Sequence, residues 1–220
     1  MAITATSSGN SGSFKLLPAG TYPARCYSMV HIGTIEEEYQ GEKKRSNKVR
    51  ISWEFPTELA IFSPEKGEQP FMLSKTFTIS MHEKATLRKF LESWRGQGFS
   101  EDEAKSFDIT KLLNVPCMVS VTHSTKKNGD VRAEISSVSK MMKGLTIPDA
   151  INPILEWNYT DKFDIGVFQS FPDYLKQLIE SSAEWKAKHA TAAPTPALNP
   201  TTVTNLAETP TANEDDDLPF

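Results

Sequence analysis

Lysine, arginine and aromatic side chains recur in the first 132 residues. Together they suit the binding of a chain of phosphates that carries aromatic bases. Lys and Arg neutralise phosphates and release condensed counterions. An aromatic ring stacks on any base with about 1–3 kcal/mol. The pattern therefore indicates contact with a single nucleic-acid strand, and we expect the contacting residues to be Arg25, Tyr27, Tyr39, Lys43, Lys44, Arg45, Lys48, Arg50, Trp53, Lys75, Phe77, Lys126, Lys127 and Arg132.

These candidates differ in how well the pattern supports them. Lys48 and Arg50 alternate with apolar residues and so point away from the core. Trp53 and Phe77 share the spacing of core positions, so burial is the better interpretation of both. Tyr27 and Tyr39 are the stronger candidates for stacking on bases.

The C-terminal hexapeptide carries a second kind of chemistry. Glu214 precedes three aspartates, which run into an apolar end. Such a tip suits a shallow apolar pocket rimmed by basic residues on another protein. The alternative is a solvated charge run that only aids solubility. The expected protein-binding residues are Asp215, Asp216, Asp217, Leu218, Pro219 and Phe220.

Signatures of catalysis are missing from the sequence. It has no phosphate-binding glycine loop, no dinucleotide fingerprint, no His-Glu-x-x-His and no Gly-x-Ser-x-Gly elbow. The four histidines are far apart, and acidic pairs such as Asp161 and Asp164 are far more often solvated than metal-bound. We expect a protein that is not an enzyme and that needs no cofactor or metal.

Composition separates the ends of the chain from its body. Residues 1–13 and 190–213 are poor in large apolar side chains, so both are predicted to be disordered. Residues 208–220 contain five acids and no base. Since the net charge of the chain is −4, the remaining residues carry a net charge of +1. Two cysteines, Cys26 and Cys117, are predicted to be buried free thiols. No apolar stretch or leader pattern indicates a membrane, so we expect a soluble, cytoplasmic protein without a membrane partner.

Hydrophobic spacing predicts three strands, a helical segment and two further strands. The strands are expected at 21–31, 48–55, 71–79, 116–124 and 131–139, with Pro56 ending the second and an Asn-Gly turn between the last two. Strand 1 should present Ala24, Cys26 and Val30 on one face and Arg25, Tyr27 and Met29 on the other.

Capping boxes predict where the helices begin. One box at 80–83 should begin a helix that ends at Gly96, and another at 100–103 should begin a short helix. A last helix after Pro172 should bury Tyr174 and Trp185 on one stripe.

This order predicts a mainly β fold, a five-stranded OB-type Greek-key barrel with a helical segment between strands 3 and 4, followed by a C-terminal helix and a disordered tail. Open α+β sheets have the same element count. The expected organisation is a disordered N-terminus (1–13), a barrel that binds single-stranded DNA (14–150), an extended segment with the C-terminal helix (151–189), a disordered linker (190–213) and an acidic tip (214–220).

Three stretches of the body and the acidic tip resemble single-stranded DNA-binding proteins. The tip resembles that of the bacterial proteins, whereas residues 17–26, 48–56 and 80–89 resemble phage-encoded members. The resemblance implies an OB fold that coats single-stranded DNA in replication, recombination and repair, in a host cytoplasm if the protein is phage-encoded. It also implies a tip that recruits replication and recombination proteins. The helix near 170–189 departs from the bacterial pattern, so the bacterial tetramer is not carried over; a homo-oligomer is one of the states left open.

Two alternatives stay open. One is a replication or recombination adaptor whose barrel binds protein. The other is an OB protein that prefers RNA, because recognition of a 2′-hydroxyl cannot be inferred from sequence.

Overall fold

The protein is mainly β, and its computed structural model describes residues 15–39, 41–146 and 149–190. The predictions for residues 1–13, for the linker after residue 190, for the tip and for the side chain of Tyr39 lie outside the described part. The elements are β1 (Gly20–Tyr39), β2 (Glu42–Ser63), β3 (Gly67–Thr78), α1 (Thr86–Arg95), α2 (Glu101–Lys105), a 3₁₀ turn (Ile109–Leu112), β4 (Pro116–Thr125), β5 (Val131–Lys140), β6 (Leu155–Trp157), α3 (Ile165–Gln169), α4 (Asp173–Glu180) and α5 (Ala183–Ala190).

The strands form one open sheet in the order β3-β2-β1-β4-β5. Every neighbouring pair along this path is antiparallel, and β6 adds to β1 in parallel. Over the described ranges β3 and β5 are the two edges and do not pair with each other. The prediction of three strands, helices and two strands is confirmed.

Strand β1 differs from its predicted alternation because it contains β-bulges. The register with β2 shifts between Cys26 and Ser28 and again between His31 and Gly33. A bulge adds a residue to one strand and so reverses which face the following residues occupy. Consequently Met29 lies in the same core as Ala24 and Cys26, whereas Val30 faces the opposite way. The predicted faces of β1 are therefore wrong beyond Cys26.

Two predicted boundaries of β2 are also corrected. The first two strands were expected to end at residue 31 and to begin at residue 48, but β1 continues to Tyr39 and β2 begins at Glu42, so the two strands form a long hairpin that turns near Gly41. Pro56 does not end β2, which runs to Ser63. The register with β3 is irregular between Phe55 and Leu59, where a residue without an N–H is tolerated.

The helices begin and end for local reasons. Ser100 and Glu103 form the predicted capping box of α2, and Gly96 ends α1 with a φ of 71°. The predicted box at 80–83 does not form, because α1 begins after Ala85 and the hydroxyl of Ser80 accepts from the amide of His82 instead.

The first hydrophobic core lies between the sheet and α1. Trp53 packs against Phe90 and Trp94 with ring centroids 5.8 and 5.6 Å apart, and Phe77 lies 4.8 Å from Phe90. The predicted buried thiols are confirmed, and Cys26 is fully buried. Burial raises the pKa of this thiol well above its ordinary range.

A second core covers the opposite face of β1. Val30 and Ile32 pack against an aromatic cluster that the C-terminal segment supplies, with Trp157 at its centre. The hydroxyl of Tyr159 donates to the carbonyl of Ile32 at 2.8 Å, and burial raises the pKa of Tyr159 to about 12. The segment after 150 is therefore packed on the sheet.

The C-terminal segment contains three short helices, whereas one helix was predicted. The last predicted helix is divided into α4 and α5, and Ser182 is buried at the break. Tyr174 is 55% exposed and does not lie on the buried stripe that the spacing predicted. Among the described residues, no helix combines the length and the apolar character needed to cross a lipid bilayer.

Strand β1 and helix α5 approach closely at Gly33. This glycine has a φ of 95°, and a Cβ there would lie 2.7 Å from Oε2 of Glu184. Glu184 in turn accepts from the amide and the hydroxyl of Thr34 at 2.6 and 2.7 Å. Burial acts to raise the pKa of Glu184, but the hydrogen bonds from Thr34 outweigh it and hold the pKa below its ordinary value. Only glycine fits both the backbone and the contact.

We expect Gly33→Ala to destabilise the protein more than Gly129→Ala. Gly129 has a similar φ of 89° but open space around its Cβ position, so it isolates the backbone strain of about 1–2 kcal/mol. Gly33→Ala adds the clash with Glu184, which costs at least about 1 kcal/mol more. Urea unfolding of both variants measures the difference. Equal losses would mean that the contact with α5 does not constrain β1.

Candidate nucleic-acid interface

A polar groove lies between the two edge strands of the sheet. One section, of about 390 Å³, lies between residues 74–76 of β3 and 132–135 of β5. An adjoining section of about 360 Å³ follows β3 toward Thr86 and shares Lys75 and Thr76 with the first. Four cationic side chains line the two sections: Lys44, Arg50, Lys75 and Arg132.

The side chain of Lys75 spans the gap between the two edge strands, β3 and β5. Its register opposite Ile51 puts it on the core face of β3, where a charge is costly unless it is paired. The ammonium donates to the carbonyl of Ile135 on β5 at 2.7 Å and lies 5.7 Å from the Phe90 ring centroid. Lys75 therefore links the two edge strands and adds positive charge to the groove.

Arg50 reaches the groove from the other face of the sheet. It pairs with Thr76, one residue from Lys75, so the two cations approach the β3 edge from opposite sides. Its guanidinium lies 5.3 Å from the ring centroid of Tyr174, a cation–π contact. Among the described residues Arg50 has no ion pair, which leaves its charge available to an anion.

Arg132 borders the groove from β5, next to the turn that carries Lys126 and Lys127. It forms an ion pair with Glu134 and donates to the hydroxyl of Ser124 at 3.2 Å. Glu134 is the one acid among the described groove-lining residues. Lys126 and Lys127 are exposed on the turn.

The hairpin formed by β1 and β2 is less basic than its sequence cluster implied. Lys43, Lys44 and Arg45 lie directly across from three glutamates, at positions 38, 37 and 36. Lys43 pairs with Glu36 at 3.2 Å, and Lys48 pairs with Glu37. With Glu42, the four bases from Lys43 to Lys48 face four acids in residues 36–48. The hairpin as a whole adds no net attraction for a polyanion.

Three candidates supply no accessible ring or charge to the groove; Trp53 and Arg25 do not line it, and Phe77 borders the second section from within the core. Trp53 is fully buried and Phe77 is 3% exposed, both within the core under α1, so neither ring is accessible to a base. Arg25 lies where β4 pairs with β1, and its guanidinium donates to Oδ1 of Asn114 at 2.6 Å. The structure thus brings together only part of the predicted set.

Tyr27 is half-buried at the bulge of β1, on the same side of the sheet as Arg50. Burial raises the pKa of its phenol, and the charge of Arg50 partly offsets this. Sequence reasoning missed the exposed Tyr174 beside it. Leu175 and Ile179, four residues apart, define the buried stripe of α4. Position 174 lies beside this stripe, and this spacing could have indicated that Tyr174 is exposed.

No protein-family model matches this chain, and no curated protein matches it significantly.

We expect Lys75→Met to destabilise the sheet. The variant keeps the apolar stem but leaves the carbonyl of Ile135 without this donor, a loss of about 1–3 kcal/mol. Lys126→Met, on the exposed turn, is the matched control and should change the free energy of unfolding by less than about 0.5 kcal/mol. Urea unfolding of the two variants measures the difference in their free energies of unfolding. Identical midpoints would show that the link between the edge strands does not stabilise the fold.

Proposed function

We propose that this protein binds single-stranded DNA along the groove between β3 and β5, without strong sequence preference and without catalysis. In this proposal the sheet is an OB-type barrel whose seam is open, and the protein coats single strands during replication or recombination in the manner of phage-encoded single-stranded DNA-binding proteins. The resemblance of residues 17–26, 48–56 and 80–89 supports the class.

Strand connectivity supports the barrel. In a five-stranded Greek-key barrel, strand 1 neighbours strands 2 and 4, and strands 3 and 5 meet to close it. Here β1 pairs with β2 and β4, the two edge strands line one groove, and α1 packs beneath the sheet. The link from Lys75 to Ile135 joins the strands that closure would pair.

The charge of the groove carries the proposal. Four cations line it against one acid, and three of them, Arg50, Lys75 and Arg132, lie outside the charge-balanced hairpin. The body as a whole is close to neutral. Positive groups that converge along a groove bind a phosphate backbone through counterion release. Serine and threonine hydroxyls line the rest, among them Ser74, Thr76 and Thr78. Such groups contact phosphate and sugar and carry little sequence information, which fits binding to any strand.

The acidic tip supplies the partner contact in this proposal. Its sequence, three aspartates followed by Leu-Pro-Phe, suits a basic-rimmed apolar pocket on a replication or recombination protein. It can also compete with DNA for the groove, because it is the most acidic segment of the chain.

One observation favours the alternative of an adaptor that binds protein through its barrel. Leu59, Ile61 and Phe62 on the hairpin of β2 and β3 are 45–49% exposed, and Met72 follows on β3. Exposed apolar groups that lie close together are a common mark of a protein–protein contact. An adaptor of this kind would capture partners but have negligible affinity for DNA.

Binding of labelled oligo-dT against salt tests the proposal. With about five phosphate contacts, log K should fall with log salt with a slope near −3.5. Arg50→Gln and Arg132→Gln should each reduce the slope by about one contact. Lys111→Gln is the control, because this exposed lysine lies on the 3₁₀ turn and does not line the groove. Absence of binding at low salt would refute the proposal, and tighter binding to a matched RNA would reassign the substrate.

Deletion of residues 214–220 should leave the fold intact and strengthen DNA binding at low salt, because the competing acids are removed. Phe220→Ala should abolish partner recruitment, measured by pull-down, with DNA affinity nearly unchanged. A deletion that leaves the DNA affinity unchanged or weaker would argue against competition between the tip and DNA.

A further inference from the structure

A small slot opens beside the groove, between the sheet and α4. Its volume is about 130 Å³. The floor is a row of three serines at paired positions of β1, β2 and β3, namely Ser28, Ser52 and Ser74. Small side chains across three adjacent strands leave a depression, and Pro172 and Tyr174 of the C-terminal segment form its wall.

The groups around the slot match a flat ring with polar edges. Tyr174 presents an exposed aromatic ring, and the guanidinium of Arg50 lies over it. At the floor, Ser74 donates to the hydroxyl of Ser52 at 2.8 Å, so oxygen atoms are available for a hydrogen bond to an inserted edge. Leu155 and Phe171 make the inner end apolar. Aromatic faces, hydroxyls and a planar cation together are the groups that bind nucleobases.

The size of the slot restricts the base. A cavity of about 150 Å³ holds a single benzene ring. The slot is close to this size, so it fits the one ring of a pyrimidine better than the two fused rings of a purine.

Arg50 connects the slot to the groove, because it lines both. A strand whose phosphate contacts Arg50 in the groove can therefore turn the adjoining base toward Tyr174. We propose that this slot takes one pyrimidine base of the bound strand, stacked on Tyr174, and that the C-terminal segment thereby gives the protein a preference for pyrimidine-rich strands. The inference rests on the proposed binding of single-stranded DNA and adds the segment after residue 150 to the site.

The test compares oligo-dT with oligo-dA by fluorescence anisotropy at one salt concentration, for wild type and variants of the full chain. Wild type should bind oligo-dT several-fold more tightly. Tyr174→Ala should weaken binding to oligo-dT about 5-fold or more, which is the loss of one stacked base, and reduce the dT/dA ratio toward one. Tyr174→Phe keeps the ring and should stay within about 2-fold of wild type. Phe62→Ala, at an exposed ring on the β2–β3 hairpin, should leave both affinities unchanged.

Crosslinking gives a second readout that does not depend on affinity. Ultraviolet irradiation of the complex with a 5-bromodeoxyuridine oligonucleotide should place the adduct on the peptide that contains Tyr174. Because Tyr174 is exposed, we expect the variants to unfold at the same urea concentration as wild type. Equal midpoints would establish that the variants retain the fold.

The outcomes separate the inference from the proposed function. If wild type binds no oligonucleotide, both fail. If wild type binds oligo-dT but Tyr174→Ala binds equally well and no adduct forms at that peptide, only the slot assignment fails. If thymidine monophosphate alone competes as well as the oligonucleotide, the slot is a site for a free nucleotide, and the proposed role in strand binding is overturned.

Discussion

The middle of strand β1 contributes to a hydrophobic core on each of its faces, and both cores are assembled around it. Its first half contributes Ala24 and Cys26 to the core beneath α1, and its second half contributes Val30 and Ile32 to the aromatic core of the C-terminal segment. With strict alternation, Met29 would face away from the core that contains Cys26, and Val30 would lie in that core. The bulge after Cys26 makes the change of face possible, because one added residue reverses the orientation of those that follow.

The second core then decides what the C-terminal segment can do. Tyr159 and Glu184 bind the backbone of β1 at Ile32 and Thr34, and Gly33 between them leaves room for this approach. Packing of this kind fixes α4 against the sheet. Tyr174 is consequently held beside Arg50, 5.3 Å from its guanidinium. A helix whose role would otherwise be structural thus borders the proposed binding surface.

Charge is distributed in a way that follows from strand pairing. Cross-strand neighbours of opposite sign are favourable, and the hairpin of β1 and β2 uses this to neutralise its lysine cluster with Glu36, Glu37 and Glu38. Exposed pairs of this kind contribute little to stability, about 0–1 kcal/mol each. Their effect on the surface potential is larger, because they neutralise the hairpin, whereas cations outnumber acids among the described residues that line the groove between the edge strands. The open seam of the sheet and the proposed site therefore coincide.

The order of the elements and the identity of much of the core can be predicted from the amino-acid sequence. The spacing of Val49, Ile51 and Trp53 predicts a half-buried strand, and the Asn-Gly turn predicts the last hairpin, because both signals depend on residues close together in the chain. The presence of Arg50, Lys75 and Arg132 near a common surface was also predicted. The faces of β1, the cross-strand pairing that neutralises the lysine cluster of its hairpin with β2, and the place of Tyr174 became known from the three-dimensional structure. These depend on a bulge, on cross-strand register and on packing between segments more than a hundred residues apart, and no local spacing of residues encodes such distant contacts.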